Sequence, residues 1–290
     1  MKEIAIIGST ASGKTALSLE IAQKTNSIIL SLDSLSVYKD INIASAKPTK
    51  EEIGDITHFG IDEVYPNEEY DVIKFIDCYK RAKLFAQNNN KNLIIVGGTG
   101  FYLKALIEGL STGVSSKIKI NSEVGEVYDL LYSLDREYMS KIKRNDRYRI
   151  EKAYAIYKET QLTPSEYFSQ NPKIPIAPNI KLFEISWNKE ELKKRIAQRT
   201  KIMLKDGIID EVIFLEKKYS RKPNAMSSIG IIETLEYLDG RLNKSQLEEK
   251  ISLNTSKLAK RQNTFNKSQF NKQQYTDIIL NLNSEILKFF

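Results

Sequence analysis

Apolar residues fall in short unbroken runs at three places, Ile4 to Ile7, Ile28 to Leu32 with one serine inside, and Leu93 to Val96, and more loosely between Lys181 and Trp187. Runs of this length without polar alternation predict strands covered on both faces, as in a parallel sheet. Between them the spacing changes to that of helices. Leu17, Ile21 and Ala22 share a face within Lys14–Thr25, Val72, Phe75, Ile76, Tyr79 and Ala82 within Glu68–Phe85, and Leu192, Ile196 and Met203 within residues 189–206. Strands alternating with helices predict an α/β fold, a doubly wound parallel sheet with right-handed crossovers. Tyr38 to Pro48 reads as loop, and no internal repeat is present.

The pattern breaks beyond Gly109. Residues 111–122 read as a linker, residues 123–168 are helical, charged and aromatic, and residues 171–178, with Pro172, Pro175 and Pro178, read as a stiff return. The expected division is a core of residues 1–111 and 172–290, which includes the basic C-terminal helices, and an inserted all-helical lobe of residues 112–171. The apolar segment between Gln269 and Phe290 fits either a strand or a helix.

Composition narrows the class. With 290 residues, 41% of them hydrophobic, the chain is long enough for one large domain with an insertion. No run approaches eighteen apolar residues, so no membrane span is expected. The chain opens directly on a strand, so no signal peptide and a cytoplasmic location are expected. One cysteine, Cys78, and one histidine, His58, exclude an internal disulfide and a Cys/His zinc site. Cys78 is expected in a helix core and His58 in a structural hydrogen bond.

The chemistry begins at Gly8-Ser9-Thr10-Ala11-Ser12-Gly13-Lys14-Thr15, a G-x-x-x-x-G-K-[ST] loop between the first strand and the first helix. Its glycines let successive N–H groups turn inward, Lys14 brings positive charge, Thr15 offers a hydroxyl to Mg²⁺, and the helix N-terminus adds its dipole. Such a loop marks a P-loop NTPase-like core and leaves the phosphate-bearing ligand open. Asp33 ends the second strand, where it is a magnesium-holding acid, a general base, or a plain turn residue. Gly97-Gly98-Thr99-Gly100 ends the third strand; its glycines allow close approach of a ligand that Thr99 can bind, or form a tight turn. Arg199 falls on the apolar stripe of its helix and therefore needs a buried carboxylate or a ligand phosphate.

Positive charge gathers in two places within a net +7. Lys141, Lys143, Arg144, Arg147, Arg149 and Lys152 stand against Asp146 and Glu151, interleaved with Tyr148 and Tyr154. Arg241 to Tyr275 carries eight bases against two acids, centred on Leu258 to Phe265. Both suit a nucleic-acid backbone, or are solvated faces.

Several of these pieces, in this order, resemble the bacterial tRNA dimethylallyltransferase family. Gly8–Thr15 is similar to its G-P-T-A-S-G-K-T loop with Ser9 in place of proline, and Asp33-Ser34-Leu35-Ser36-Val37-Tyr38 to D-S-R-Q-V-Y. Ala44 to Pro48 resembles G-T-A-K-P, and Gly97 to Leu106 resembles G-G-T-x-L-Y-x-K-A-L. Asn145-Asp146-Arg147-Tyr148-Arg149-Ile150 is similar to N-D-x-Q-R-I, Ile229-Gly230 to the start of I-G-Y-R-E, and Ala259 to Phe265 to A-K-R-Q-x-T-W.

The resemblance implies transfer of a dimethylallyl group from its diphosphate to N6 of the adenosine 3′ of the tRNA anticodon, with Mg²⁺ present and pyrophosphate released. Gly8, Ser9, Thr10, Ala11, Ser12, Gly13, Lys14 and Thr15 would hold the diphosphate. Arg199 would neutralise it as it leaves, Asp33 would accept the amine proton, and Thr99 would help to hold the flipped base. Asp33, Ser34, Leu35, Ser36, Thr99, Tyr148, Arg149, Ile150, Glu151, Lys152, Lys260, Arg261 and Gln262 would meet the anticodon stem-loop. Leu35, Ser36 and Tyr148 depart from the family's Arg, Gln and Gln. A monomer is expected. A P-loop kinase or an RNA-binding ATPase fits the loop equally and remains the rival.

Overall fold

The computed structural model of the chain describes residues 1–111, 118–120, 123–270, 274–277 and 279–290. In chain order the first half runs β1 Glu3–Gly8, α1 Lys14–Lys24, β2 Ser27–Ser31, α2 Lys50–Ile53, β3 His58–Phe59, α3 Val72–Asn88, β4 Asn92–Gly97 and α4 Gly100–Glu108. Four helices follow: α5 Val124–Leu134, α6 Arg136–Met139, α7 Arg147–Thr160 and α8 Pro164–Gln170. The chain then forms β5 Lys181–Ile185, α9 Lys189–Lys205, α10 Ile208–Tyr219, a 3₁₀ turn at Asn224–Ser227, α11 Ile231–Leu238, α12 Lys244–Phe270, β6 Gln274–Asp277 and α13 Ile279–Phe289.

The six strands form one sheet in the order β3-β2-β4-β1-β5-β6 with every pairing parallel. β1 lies between β4 and β5, with Ile4 opposite Ile94 and Gly8 opposite Ile185. This is the expected doubly wound α/β sheet. Its unbroken apolar runs sit in the centre because both faces are buried: on one face Ile4, Ile6, Ile29, Ile94 and Phe183 pack on Leu17 and Ile21 of α1 and on Leu282 and Ile286 of α13, and on the other Ala5, Ile7, Ile28, Leu30, Leu93 and Ile95 are equally shielded from solvent. The tail that sequence left unassigned is therefore a short edge strand and a helix that closes the core. β3 escaped sequence reading because two residues, His58 and Phe59, carry no periodicity. α3 begins at Val72, the first residue of its apolar pattern, and not at Glu68, because the Asp71 carboxylate accepts the N–H groups of Ile73 and Lys74 at 3.0 Å each and caps the helix there.

Two compact units result, Met1–Lys104 with Asn179–Phe290, and Ala105–Pro178. The expected boundaries at 112 and 171 lie inside the smaller unit's own stem. There the two chain segments join: the N–H groups of Ile176 and Ala177 donate to the Leu106 carbonyl at 3.0 and 2.8 Å, and Leu110 bridges to Ile174. Gly109, at φ +81°, makes that approach possible, since a Cβ would stand 2.1 Å from the Ile174 carbonyl oxygen. Of the expected linker at 111–122, residues 112–117 and 121–122 lie outside the described residues. The smaller unit has its own core of Ile120, Val127, Leu131, Met139, Ile142, Ile150 and Ala153.

Candidate functional site

β1, β2 and β4 are neighbours running the same way, so their carboxyl ends bring three distant stretches to one sheet edge: the loop Gly8–Thr15, Asp33, and Gly97–Thr99. The ladder continues past β2, with the Leu32 N–H donating to the Val96 carbonyl at 2.7 Å and the Thr99 N–H to the Leu32 carbonyl at 3.3 Å. These bonds hold Asp33 and Thr99 to adjacent strand ends. At Gly8 a Cβ would sit 2.9 Å from the Ile185 carbonyl oxygen, so glycine lets the loop leave β1 tight against β5.

The positive charge of the loop is met by neutral oxygens. Lys14 Nζ donates to the Ser9 carbonyl at 2.6 Å and reaches Ser12 Oγ at 3.4 Å. Burial lowers its pKa to about 8, with Arg199 acting in the same direction and Asp33 opposing. Arg199 extends from α9, as its place on the apolar stripe predicted, and its Nη1 donates to Thr10 Oγ1 at 3.1 Å. Burial lowers its pKa as well, against the pull of Asp33. Among the described residues no carboxylate lies within 4.0 Å of either cation. Two desolvated cations beside a helix N-terminus make a site that favours an anionic ligand.

Asp33 uses one oxygen, Oδ1, to accept the N–H groups of Leu35 at 2.8 Å and Ser36 at 3.2 Å. The turn role is thus real, and it fixes the carboxylate's orientation. Asp33 also lines an inner cleft of about 80 Å³ together with Thr10, Lys14, Thr15, Arg199 and Gln262. Lys14, Thr15 and Arg199 also line a wider groove of about 1050 Å³, together with the aliphatic Ile43, Ala46, Ile53, Ile61 and Ile202 and the charged Lys47, Lys50, Glu52, Asp62, Arg195 and Asp206. The loop bearing Ile43 and Ala46 is held by the Glu211 carboxylate of α10, which accepts the N–H groups of Asn42, Ile43 and Ala44 at 2.8, 2.7 and 2.9 Å.

Not every residue expected to meet RNA lies where one could. Ile150 is fully buried in the small unit's core, because α7 turns it inward while Tyr148, two positions earlier, stands 71% exposed. Glu151 accepts the Arg147 Nε at 2.9 Å and the Ile120 N–H at 3.4 Å, so it serves the small unit's own structure. Leu35 packs on the core around Val37 and Ile41, while Ser34 remains exposed and Ser36 lines the inner cleft. Gln262 is a strut of the cleft: its Oε1 accepts the Thr10 N–H at 2.8 Å and its Nε2 donates to the Gly98 carbonyl at 3.1 Å. Lys260 and Arg261 are exposed, beside a groove of about 870 Å³ that Lys257 and Phe265 also line.

The basic run of the small unit is less bare than its sequence. Arg144 pairs with Asp129 at 2.6 Å, Lys141 with Glu137 at 3.2 Å, Arg147 with Glu151 at 2.9 Å and Arg149 with Asp146 at 2.8 Å. Lys152 lies over the exposed Tyr148 ring at 5.9 Å. These pairs are at the surface, where such contacts are weak enough to exchange for phosphate.

Sequence reading missed four contributors. His58 lines the inner cleft while its Nδ1 is bonded to the Ile56 carbonyl at 2.8 Å, so the expected structural bond is present and the ring is still in the cleft wall. Glu211, Trp187 and Arg195 act on backbone atoms far away in the chain and have no local signature. Trp187 Nε1 donates to the Ser12 carbonyl at 2.9 Å and Arg195 Nε to the Ala11 carbonyl at 2.8 Å.

The IPP transferase family model matches residues 36–269. A tRNA dimethylallyltransferase of Aliarcobacter butzleri is 71% identical over 290 residues, covering 100% of this chain and 99% of the relative. One from Sulfurimonas denitrificans is 53% identical over 277 residues, 93% of each chain. Among solved structures, a eukaryotic dimethylallyltransferase acting on tRNA aligns with a TM-score of 0.83 at 27% identity, covering 96% of this chain and 74% of that one. The full-length tRNA isopentenylpyrophosphate transferase of Bacillus halodurans aligns with a TM-score of 0.72 at 27% identity, covering 99% and 96%. A family match over residues 36–269, with a relative aligned over all 290 residues and another over 93% of the chain, means that this chain belongs to the IPP transferase family of tRNA dimethylallyltransferases.

Proposed function

We propose that the protein transfers the dimethylallyl group of dimethylallyl diphosphate to N6 of the adenosine 3′ of the anticodon in tRNA and releases pyrophosphate. The observation that carries this reading is the pair of desolvated cations, Lys14 and Arg199, facing an oriented carboxylate, Asp33, across a small cleft. A bond breaks between the allylic carbon and the bridging oxygen, and the electron pair leaves with pyrophosphate. Lys14 and Arg199 offset that growing charge, as do the inward N–H groups of the loop. A bond forms from N6 to the same carbon, and Asp33 takes the N6 proton. Thr99, on the adjacent strand end, contributes to holding the base once it has left the anticodon stack. The aliphatic side chains in the groove, Ile43, Ile53, Ile61 and Ile202 among them, offer a prenyl group contacts that a purely phosphate-binding surface lacks.

Magnesium fits this donor set. Among the described residues no group of three His, Cys, Asp or Glu could cage a metal, and the exposed Thr15 hydroxyl offers one hard oxygen. Mg²⁺ held there by Thr15 would neutralise the charge of the leaving group. We place tRNA phosphates against Lys260, Arg261, Arg149 and Lys152, with Ser34, Ser36 and Tyr148 nearer the bases. We place the protein as a monomer in the cytoplasm; among the described residues no helix is long and apolar enough to cross a membrane.

The test is incubation with unmodified tRNA, Mg²⁺ and dimethylallyl diphosphate labelled in the prenyl group. Label in the tRNA at the adenosine 3′ of the anticodon, with one pyrophosphate per transfer, is expected. ATP hydrolysis or phosphoryl transfer with no label in tRNA would instead identify a kinase or ATPase.

A further inference from the structure

A phosphate loop binds anions only if its peptides present N–H groups inward, and each peptide that does so turns its carbonyl outward. Those outward carbonyls need partners. Here the Ser12 carbonyl, and the Ala11 carbonyl of the peptide before it, whose N–H is taken by Ser9, find partners in one small assembly. Trp187, two residues beyond β5, donates its indole N–H to the Ser12 carbonyl at 2.9 Å, and Arg195 on α9 donates Nε to the Ala11 carbonyl at 2.8 Å. The guanidinium lies 4.7 Å from the centre of the Trp187 ring, so each side chain holds the other in place. Trp187 and Ala11 both pack on Leu192, Ile196 and Ala259, which joins the assembly to α9 and α12.

We propose that Trp187 and Arg195 are positioning residues for the donor diphosphate, a clamp on the carbonyl side of the loop that aims the Gly13 N–H into the cradle. The geometry follows from the peptide itself. The Ser12 carbonyl and the Gly13 N–H belong to one trans peptide and point opposite ways, so the indole that fixes the first directs the second. Arg195 holds the preceding peptide, whose N–H closes the loop on the Ser9 carbonyl at 3.3 Å. Ala11 sits at φ +62°, a left-handed conformation that alanine does not prefer. The Arg195 bond stabilises that turn where no glycine is present to allow it. Trp187 is not among the residues lining the groove, so its variant tests positioning without contact, whereas Arg195 lines the groove while its Nε is spent on the Ala11 carbonyl.

This inference rests on the proposed diphosphate ligand, and its test separates the two. Trp187 is the protein's only tryptophan, so its fluorescence reports directly on the clamp. Titrating the wild-type protein with inorganic pyrophosphate, and separately with dimethylallyl diphosphate, is expected to give a saturable change in emission. Trp187→Phe keeps a ring under the guanidinium but loses the N–H, and Arg195→Ala loses the second bond. Each is expected to raise KM for dimethylallyl diphosphate about fivefold or more, with kcat within about twofold and KM for tRNA unchanged, the pattern of weakened ground-state binding. Arg195→Lys, which keeps the charge over the ring, is expected to recover part of the loss. Unchanged donor KM in both variants, or equal changes in donor and tRNA KM, would overturn the clamp while leaving the reaction intact. A wild-type protein that binds neither diphosphate and shows no emission change would overturn both the clamp and the proposed donor.

Discussion

At the scale of residues the site is a contest between desolvation and charge. Asp33 has one oxygen tied to two backbone N–H groups, which sets the plane of the carboxylate before any substrate arrives. Asp33→Asn keeps that turn's acceptor but removes the base. Single-turnover transfer is expected to slow about 100-fold or more, with tRNA affinity within about twofold by filter binding. Arg199 offers a planar fork where lysine offers a point charge, so Arg199→Lys should raise KM for the donor about tenfold, checked by steady-state kinetics at saturating tRNA. Lys14, Asp33 and Arg199 were legible in the sequence because each has a local marker: a motif, a strand end, an apolar helical stripe. Gln262 was assigned to RNA through the family resemblance, and its bond to Thr10, 252 positions away, has no local marker: only the packing of α12 against the loop brings the two together.

At the scale of elements, α7 shows how one helix divides its labour. Tyr148 and Lys152 lie on the outer face, and Ile150 and Ala153 enter the core of the smaller unit. Ile150→Ala is expected to cost about 2–4 kcal/mol in urea unfolding of the full protein, whereas Tyr148→Ala should stay within about 0.5 kcal/mol and act on tRNA binding instead. A large stability loss in Tyr148→Ala would place its ring in the core. In the loop between Asn42 and Pro48, three consecutive N–H groups share one carboxylate, that of Glu211, beside the loop's own Ser45 and Lys47 bonds. Glu211→Ala leaves those donors without their acceptor, which should cost about 1–3 kcal/mol and raise the donor KM, because Ile43 and Ala46 line the groove. The loop was legible as loop from its composition, but Glu211, on a helix far later in the chain, was not.

At the scale of the whole molecule the net charge of +7 sets the terms for a polyanionic partner. The basic run near residue 147 must exchange Asp129, Glu137, Asp146 and Glu151 for phosphate, whereas among the described residues no ion pair holds Lys260 or Arg261, so these two should each add a full charge to the salt dependence. Lys260→Ala with Arg261→Ala is expected to reduce the slope of log affinity for tRNA against log salt by about 1.4, near 0.7 for each phosphate that is no longer neutralised. An unaltered slope across roughly 50–200 mM salt would remove both residues from the phosphate-binding surface. What the sequence alone determined is everything whose cause lies within a few residues: four of the six strands, the helical stripes, the phosphate loop and the strand-end carboxylate, because burial on both faces and helical periodicity are written locally. Tertiary structure decided the rest, namely which strand ends become neighbours, which acids quench the basic run, and which side chains hold the outward carbonyls of the loop. Those depend on hydrogen bonds and packing between segments that meet only after the chain has folded.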